Sequence, residues 1–144
     1  MKKLYYVLNG PNLNMLGIRE PEHYGNENFT ALKKLVKDTA KELGVRVKML
    51  QTNHEGKLVD IIQEAYFKGA DGVVINPGAY THTSIALLDA LKATKLPCVE
   101  VHISKVEDRE DFRQVSYVRL AAKKTITGHG ILGYKEALEY LVSN

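Results

Sequence analysis

The sequence predicts an α/β fold, a flavodoxin-like doubly wound sandwich with a five-stranded parallel sheet. Short apolar runs alternate with stretches whose apolar residues recur at helical spacing. Such alternation favours parallel strands joined by right-handed crossovers and covered by helices on both faces. Polar residues also collect just after three of the expected strands, where ligands bind in open parallel sheets.

The elements follow in order. Residues 4–8 read as a first strand. Leu32, Leu35, Val36, Thr39, Ala40 and Leu43 then recur at helical spacing, and Gly44 marks the stop. Residues 45–50 alternate, as a strand facing two environments does. Leu58, Ile61, Ile62 and Ala65 form a second helix face, and residues 72–76 a buried strand stopped by Pro77-Gly78. A helix is expected over 83–93, a fourth strand over 96–103, a short fifth over 124–127 and a closing helix over 134–141. Residues 115–123 fit no single template.

The 144 residues suit one domain, 1–144. Twenty basic and 17 acidic side chains leave a formal charge of +3, too slight to point to nucleic acid but compatible with a small anionic substrate. Lys33, Lys34, Lys37 and Lys41 read as the solvated face of one helix. The single cysteine, Cys98, falls in an apolar strand and reads as a packing residue. The opening residues lack a signal-peptide pattern, and no apolar run reaches transmembrane length, so the cytoplasm is the expected compartment.

Two segments carry the chemistry. The first runs from Asn9-Gly10-Pro11-Asn12 through Arg19 to Tyr24-Gly25, a long loop without apolar periodicity; loops of that length in compact domains are usually functional or disordered. Gly17 and Gly25 would suit the hinges of a lid. A permanent cation such as Arg19 near Tyr24 favours the phenolate. The second is Val99-Glu100-Val101-His102-Ile103-Ser104. Glu100 and His102 share one strand face, so the carboxylate can fix the imidazole tautomer and raise its basicity. Together these read as a base and an acid.

Other patterns are weaker. Gly128-His129-Gly130-Ile131-Leu132-Gly133 formally matches a dinucleotide-binding fingerprint, but no further βαβ unit or ribose-binding acid follows, so it reads as a tight turn. No phosphate-binding P-loop is present in residues 10–17. His54, His82 and His102 lack metal-ligand spacing, so acid–base or hydrogen-bonding roles are favoured and no metal is expected. Asp89 lies in an otherwise apolar helix, where Ile85 and Leu88 widen the Leu87/Leu91 stripe. That surplus fits a subunit contact and a well-buried helix equally. A phospho-receiver would need acidic residues after the first strand, and a flavin carrier a Ser/Thr-rich phosphate loop; neither is present. No lysine lies in a clearly apolar strand context, so imine chemistry is not indicated.

Several blocks resemble type II 3-dehydroquinate dehydratase in register from about residue 4 to 141. They are the 8–17 segment with Arg19-Glu20-Pro21 and Tyr24-Gly25, Asn53-His54-Glu55-Gly56, the 75–84 segment, Glu100 to Ser104, residues 111–117, and the closing glycine motif with Tyr134. The resemblance implies a single catalytic domain and a cofactor-free hydro-lyase. It would convert 3-dehydroquinate to 3-dehydroshikimate through an enolate, in aromatic biosynthesis or quinate breakdown. It assigns Tyr24 as the base, Arg19 as its activator, Asn12 as an enolate holder, and His102 as the acid supported by Glu100. It places Asn76, His82, Ile103, Ser104 and Arg113 at the substrate. It also implies trimers assembled into dodecamers, with Asp89 reaching a neighbouring subunit's site. The chain departs from the family pattern at Ile18, His23, Lys105, Gln114 and Val115.

Overall fold

The computed structural model describes residues 1–18 and 27–144. Five strands, β1 (Leu4–Asn9), β2 (Arg46–Gln51), β3 (Gly72–Asn76), β4 (Cys98–His102) and β5 (Lys124–Thr127), form one parallel sheet in the order β2-β1-β3-β4-β5. The helices are α1 (Phe29–Leu43), α2 (Glu55–Phe67), α3 (Ile85–Thr94) and α4 (Leu132–Ser143).

Period-2 alternation in the strands divides the core into two layers. Tyr5, Val7, Val74, Val99, Val101 and Ile126 face α1 and α4. Tyr6, Leu8, Val73, Ile75 and Cys98 face α2 and α3. Cys98 is fully buried, and burial pushes its thiol pKa up, as suits a packing residue. The lysines of α1 lie on its solvent face, and Lys34 pairs with Asp38 one turn on.

Several boundaries shift from the sequence reading for physical reasons. The third helix begins at Ile85 because the Ser84 side chain caps it, accepting from Leu87 N–H at 2.9 Å. A 3₁₀ turn, Gly78–His82, precedes it. Strand β4 is shorter than expected; Pro97 has no N–H for the ladder, and beyond His102 the Ile103 carbonyl accepts instead from Gly130 N–H. The ambiguous stretch holds a 3₁₀ turn, Val118–Leu120. The first half of the long loop is more ordered than its pattern suggested: Leu13 and Leu16 are buried around a 3₁₀ turn, Leu13–Met15. The glycine motif is a tight turn into α4, with φ of +80° at Gly128 and +60° at Gly130.

The chain leaves β1 toward β2 on one side and returns to β3 on the other, so the sheet's switch point lies between β1 and β3. Asn9 and Asn76 are register partners at those strand ends. Gly10 follows so closely on Pro77 that a Cβ there would sit 2.4 Å from the Pro77 carbonyl oxygen. Only glycine admits this approach, and it brings the two polar loops together.

Candidate active site

A cavity of about 160 Å³ opens at this switch point, lined by backbone and side chains of the loops after β1, β3 and β4. Of the residues singled out from sequence, Asn12, Asn76, His82, His102, Ile103, Ser104 and Arg113 line it. Glu100 lies behind His102, and Asp89 sits on the exposed face of α3, away from the cavity of its own chain. Ile85 beside it is 54% exposed, whereas Leu88 is buried, so only part of the apolar surplus is surplus. Arg19 and Tyr24 lie outside the described residues.

Glu100 and His102 are held deep in the sheet. His102 Nε2–H donates to Glu100 Oε2 at 2.5 Å, and Glu100 has no solvent exposure. This bond leaves Nδ1 as the imidazole nitrogen available to a ligand. Further donors converge on the same carboxylate. The Thr81 and Ser116 hydroxyls reach Oε2 at 2.9 and 2.7 Å, and Thr125 Oγ1 and Arg119 Nε reach Oε1 at 3.0 and 3.3 Å. Burial alone would raise the pKa of Glu100. The hydrogen bond and charge of His102, with Ser116 and Arg119, outweigh it and hold the carboxyl down at about 2. Glu100 is therefore ionised throughout the neutral range.

His82 has a fixed tautomer. Its Nδ1 lies 2.8 Å from the Val115 carbonyl oxygen, which only accepts, so Nδ1 carries the proton. Partial burial lowers its pKa further than the Val115 bond raises it. A neutral His82 thus keeps Nε2 as an acceptor. Arg109 and Arg113 give the cavity positive charge, and Arg113 Nε donates to Glu110 at 2.9 Å.

The first loop is propped from β2. Asn12 adopts a left-handed conformation, φ +69°, and its N–H donates to Asn53 Oδ1 at 3.0 Å. Asparagine tolerates that region better than most residues, and such outliers gather at functional sites. Gln51 Nε2 donates both to the Gly10 carbonyl and to Asn53 Oδ1, at 3.1 Å each.

Against protein-family models, residues 3–142 match dehydroquinase class II. The chain belongs to that family. The 3-dehydroquinate dehydratase of Nitrobacter winogradskyi is 52% identical over 143 residues, covering 99% of this chain and 92% of the relative. The 3-dehydroquinate dehydratase 2 of Pseudomonas putida is 52% identical over 140 residues, covering 97% and 93%. Among solved structures, the type II dehydroquinase from Butyrivibrio crossotus superposes with a TM-score of 0.95 at 48% identity, covering 97% of each chain.

Membership in the dehydroquinase class II family covers the whole sheet and every loop around the cavity. Sequence reasoning missed Arg109, whose side chain is only 6% exposed and whose Nη1 lies 3.4 Å from Ser104 Oγ. It also missed Thr81, Ser116, Arg119 and Thr125, which reach Glu100 from outside β4. The β4–β5 register, Glu100 opposite Thr125, was the one signal that could have found Thr125, and it required the strand pairing first. Among the described residues, no helix is long and apolar enough to cross a membrane.

Proposed function

We propose that this chain dehydrates 3-dehydroquinate to 3-dehydroshikimate by anti elimination through an enolate. The observation that carries the reading is the ionised Glu100 behind His102 at the rim of a polar, cationic cavity. Loss of hydroxide needs a proton donor, and the Glu100 carboxylate fixes the His102 ring so that Nδ1 is the nitrogen available to the departing oxygen.

Tyr24 removes the proton from the carbon next to the ketone. The electron pair passes into the carbonyl as an enolate, which Asn12 helps to hold. Collapse of the enolate breaks the carbon–oxygen bond, and His102 Nδ1 delivers its proton to the departing oxygen, which leaves as water. Arg19 favours ionisation of Tyr24. His82 Nε2 accepts from a substrate hydroxyl. The Ile103–Ser104 segment, Asn76 and Arg113 bind the remaining polar groups, the carboxylate among them. No lysine lines the cavity among the described residues, which supports direct elimination over an imine.

The exposed Asp89 and Ile85 suit a trimer in which Asp89 completes a neighbour's cavity, with trimers assembled into a dodecamer in the cytoplasm. Ultraviolet absorbance tests the activity, because the conjugated enone product absorbs where the substrate does not. Absorbance that stays flat with purified protein and 3-dehydroquinate would refute the reading.

A further inference from the structure

Tyr134 takes no part in the chemistry above, yet it is fully buried and its hydroxyl touches the amide of cavity-lining Asn76. We propose that Tyr134 is a positioning residue: it fixes the Asn76 side chain so that the amide offers the substrate an N–H donor and withholds its carbonyl oxygen. This rests on reading the cavity as the 3-dehydroquinate site.

The assignment follows from a chain of hydrogen bonds anchored by backbone at both ends. Asn9 Nδ2 donates to the Leu50 carbonyl at 3.2 Å. Its Oδ1 must then face Tyr134, whose hydroxyl donates to it at 2.6 Å. Having spent its single proton, the Tyr134 oxygen accepts, and Asn76 Nδ2 donates to it at 2.9 Å. Asn76 Oδ1 is turned the other way, where the Gly78 N–H reaches it at 3.1 Å.

The reversed chain fails at both ends. A flipped Asn9 would set its carbonyl against the Leu50 carbonyl, and a flipped Asn76 would set its NH₂ against the Gly78 N–H. Each error leaves a buried polar group unpaired, so the two backbone anchors select one direction. Among the described residues, Asn76 Nδ2 has one partner, leaving its second N–H for a ligand oxygen. The site therefore selects an oxygen that accepts there: a ketone, a carboxylate or a hydroxyl lone pair.

Tyr134→Phe keeps the ring and removes the relay. With 3-dehydroquinate as substrate, KM should rise roughly five- to thirty-fold, as for one lost hydrogen bond, with kcat changing less. In an Asn76→Ala background the same substitution should change KM by less than about twofold, because the residue it orients is already gone. A native KM for Tyr134→Phe, or an undiminished penalty in the Asn76→Ala background, overturns the proposal. Neutron diffraction from crystals of the deuterated wild-type protein reads the direction without any variant. A deuteron on Tyr134 aimed at Asn9, and the Asn76 ND₂ facing Tyr134, support it; the Asn76 oxygen facing Tyr134 refutes it. Wild-type protein that leaves 3-dehydroquinate unchanged would defeat the proposed activity, while the neutron result still decides the direction of the chain.

Discussion

The network around Asn76 carries no formal charge and is oriented by two backbone groups, whereas the network around Glu100 is built on a buried carboxylate and oriented by side chains. Both lie beneath one cavity, at the ends of neighbouring strands. The neutral chain serves a constant task in the proposed reading, offering one donor. In the proposed mechanism the charged cluster serves a changing task, because its histidine passes a proton to the departing oxygen. Binding and turnover should therefore break separately.

The largest effect should fall on the groups proposed to move protons. His102→Ala should lower kcat by about 10²–10⁴-fold while leaving KM within a few-fold, since leaving-group protonation is needed only in the transition state. Tyr24→Phe should abolish turnover with little change in affinity. A tyrosine with an ordinary pKa of about 10 is ionised only roughly once per thousand molecules at neutral pH, so the proposed base needs the activation proposed for Arg19. Steady-state kinetics with substrate titration measures both. A His102→Ala enzyme that no longer binds substrate would mark the pair as structural.

Glu100→Gln should be milder in turnover than His102→Ala. Its stability effect is specific, because a glutamine brings an NH₂ into a cradle already filled with donors and leaves one buried polar group mismatched. At neutral pH this should cost about 1–3 kcal/mol in denaturant unfolding. The pH dependence has a definite sign. Glu100 has its pKa lowered from 4.5 to about 2 in the folded protein, so its stabilisation is complete above pH 4.5 and is lost as pH falls toward 2. The gap between wild type and Glu100→Gln should close over that window. A gap that stays constant down to pH 2.5 would mean that the carboxylate charge is not what the cradle stabilises.

The two networks were unequally legible in the sequence. Glu100 and His102 share a strand face by simple alternation, and Asn76 announces itself at the end of an apolar run. Partners contributed by other segments were hidden. Thr81, Ser116 and Arg119 meet Glu100 from loops and turns without hydrophobic periodicity, which is the signal that locates helices and strands. Tyr134 was hidden differently: it lies on the same buried face of α4 as Ala137, Leu138 and Leu141, where a tyrosine reads as one more core residue. Its hydroxyl acquires meaning only when Asn9, 125 residues away, arrives beside it. Asp89 shows the converse, since its placement in the helix was plain while the role proposed for it needs a surface from another copy of the chain.

The smallest effect separates a contact that belongs to the charged cluster from one that only resembles it. Arg119 and Lys34 each pair with a carboxylate, but Arg119 reaches the fully buried Glu100 from a side chain 43% exposed, while Lys34 and Asp38 are 77% and 51% exposed. Solvent screens the Lys34–Asp38 pair almost completely, so Lys34→Ala should leave the unfolding free energy essentially unchanged. Arg119→Gln should also stay below about 1 kcal/mol at neutral pH, because half of its interaction is seen through water. The two variants differ in what else moves. Removing Arg119 takes a cation from beside Glu100, raises that carboxyl's pKa and carries the acid limb of the stability curve to higher pH; removing Lys34 leaves the limb at Glu100 where it was. Thermal unfolding followed from pH 7 to pH 2.5 distinguishes them. Superimposable acid limbs for Arg119→Gln and wild type would show that the hydroxyls and His102 hold Glu100 without help from the surface arginine.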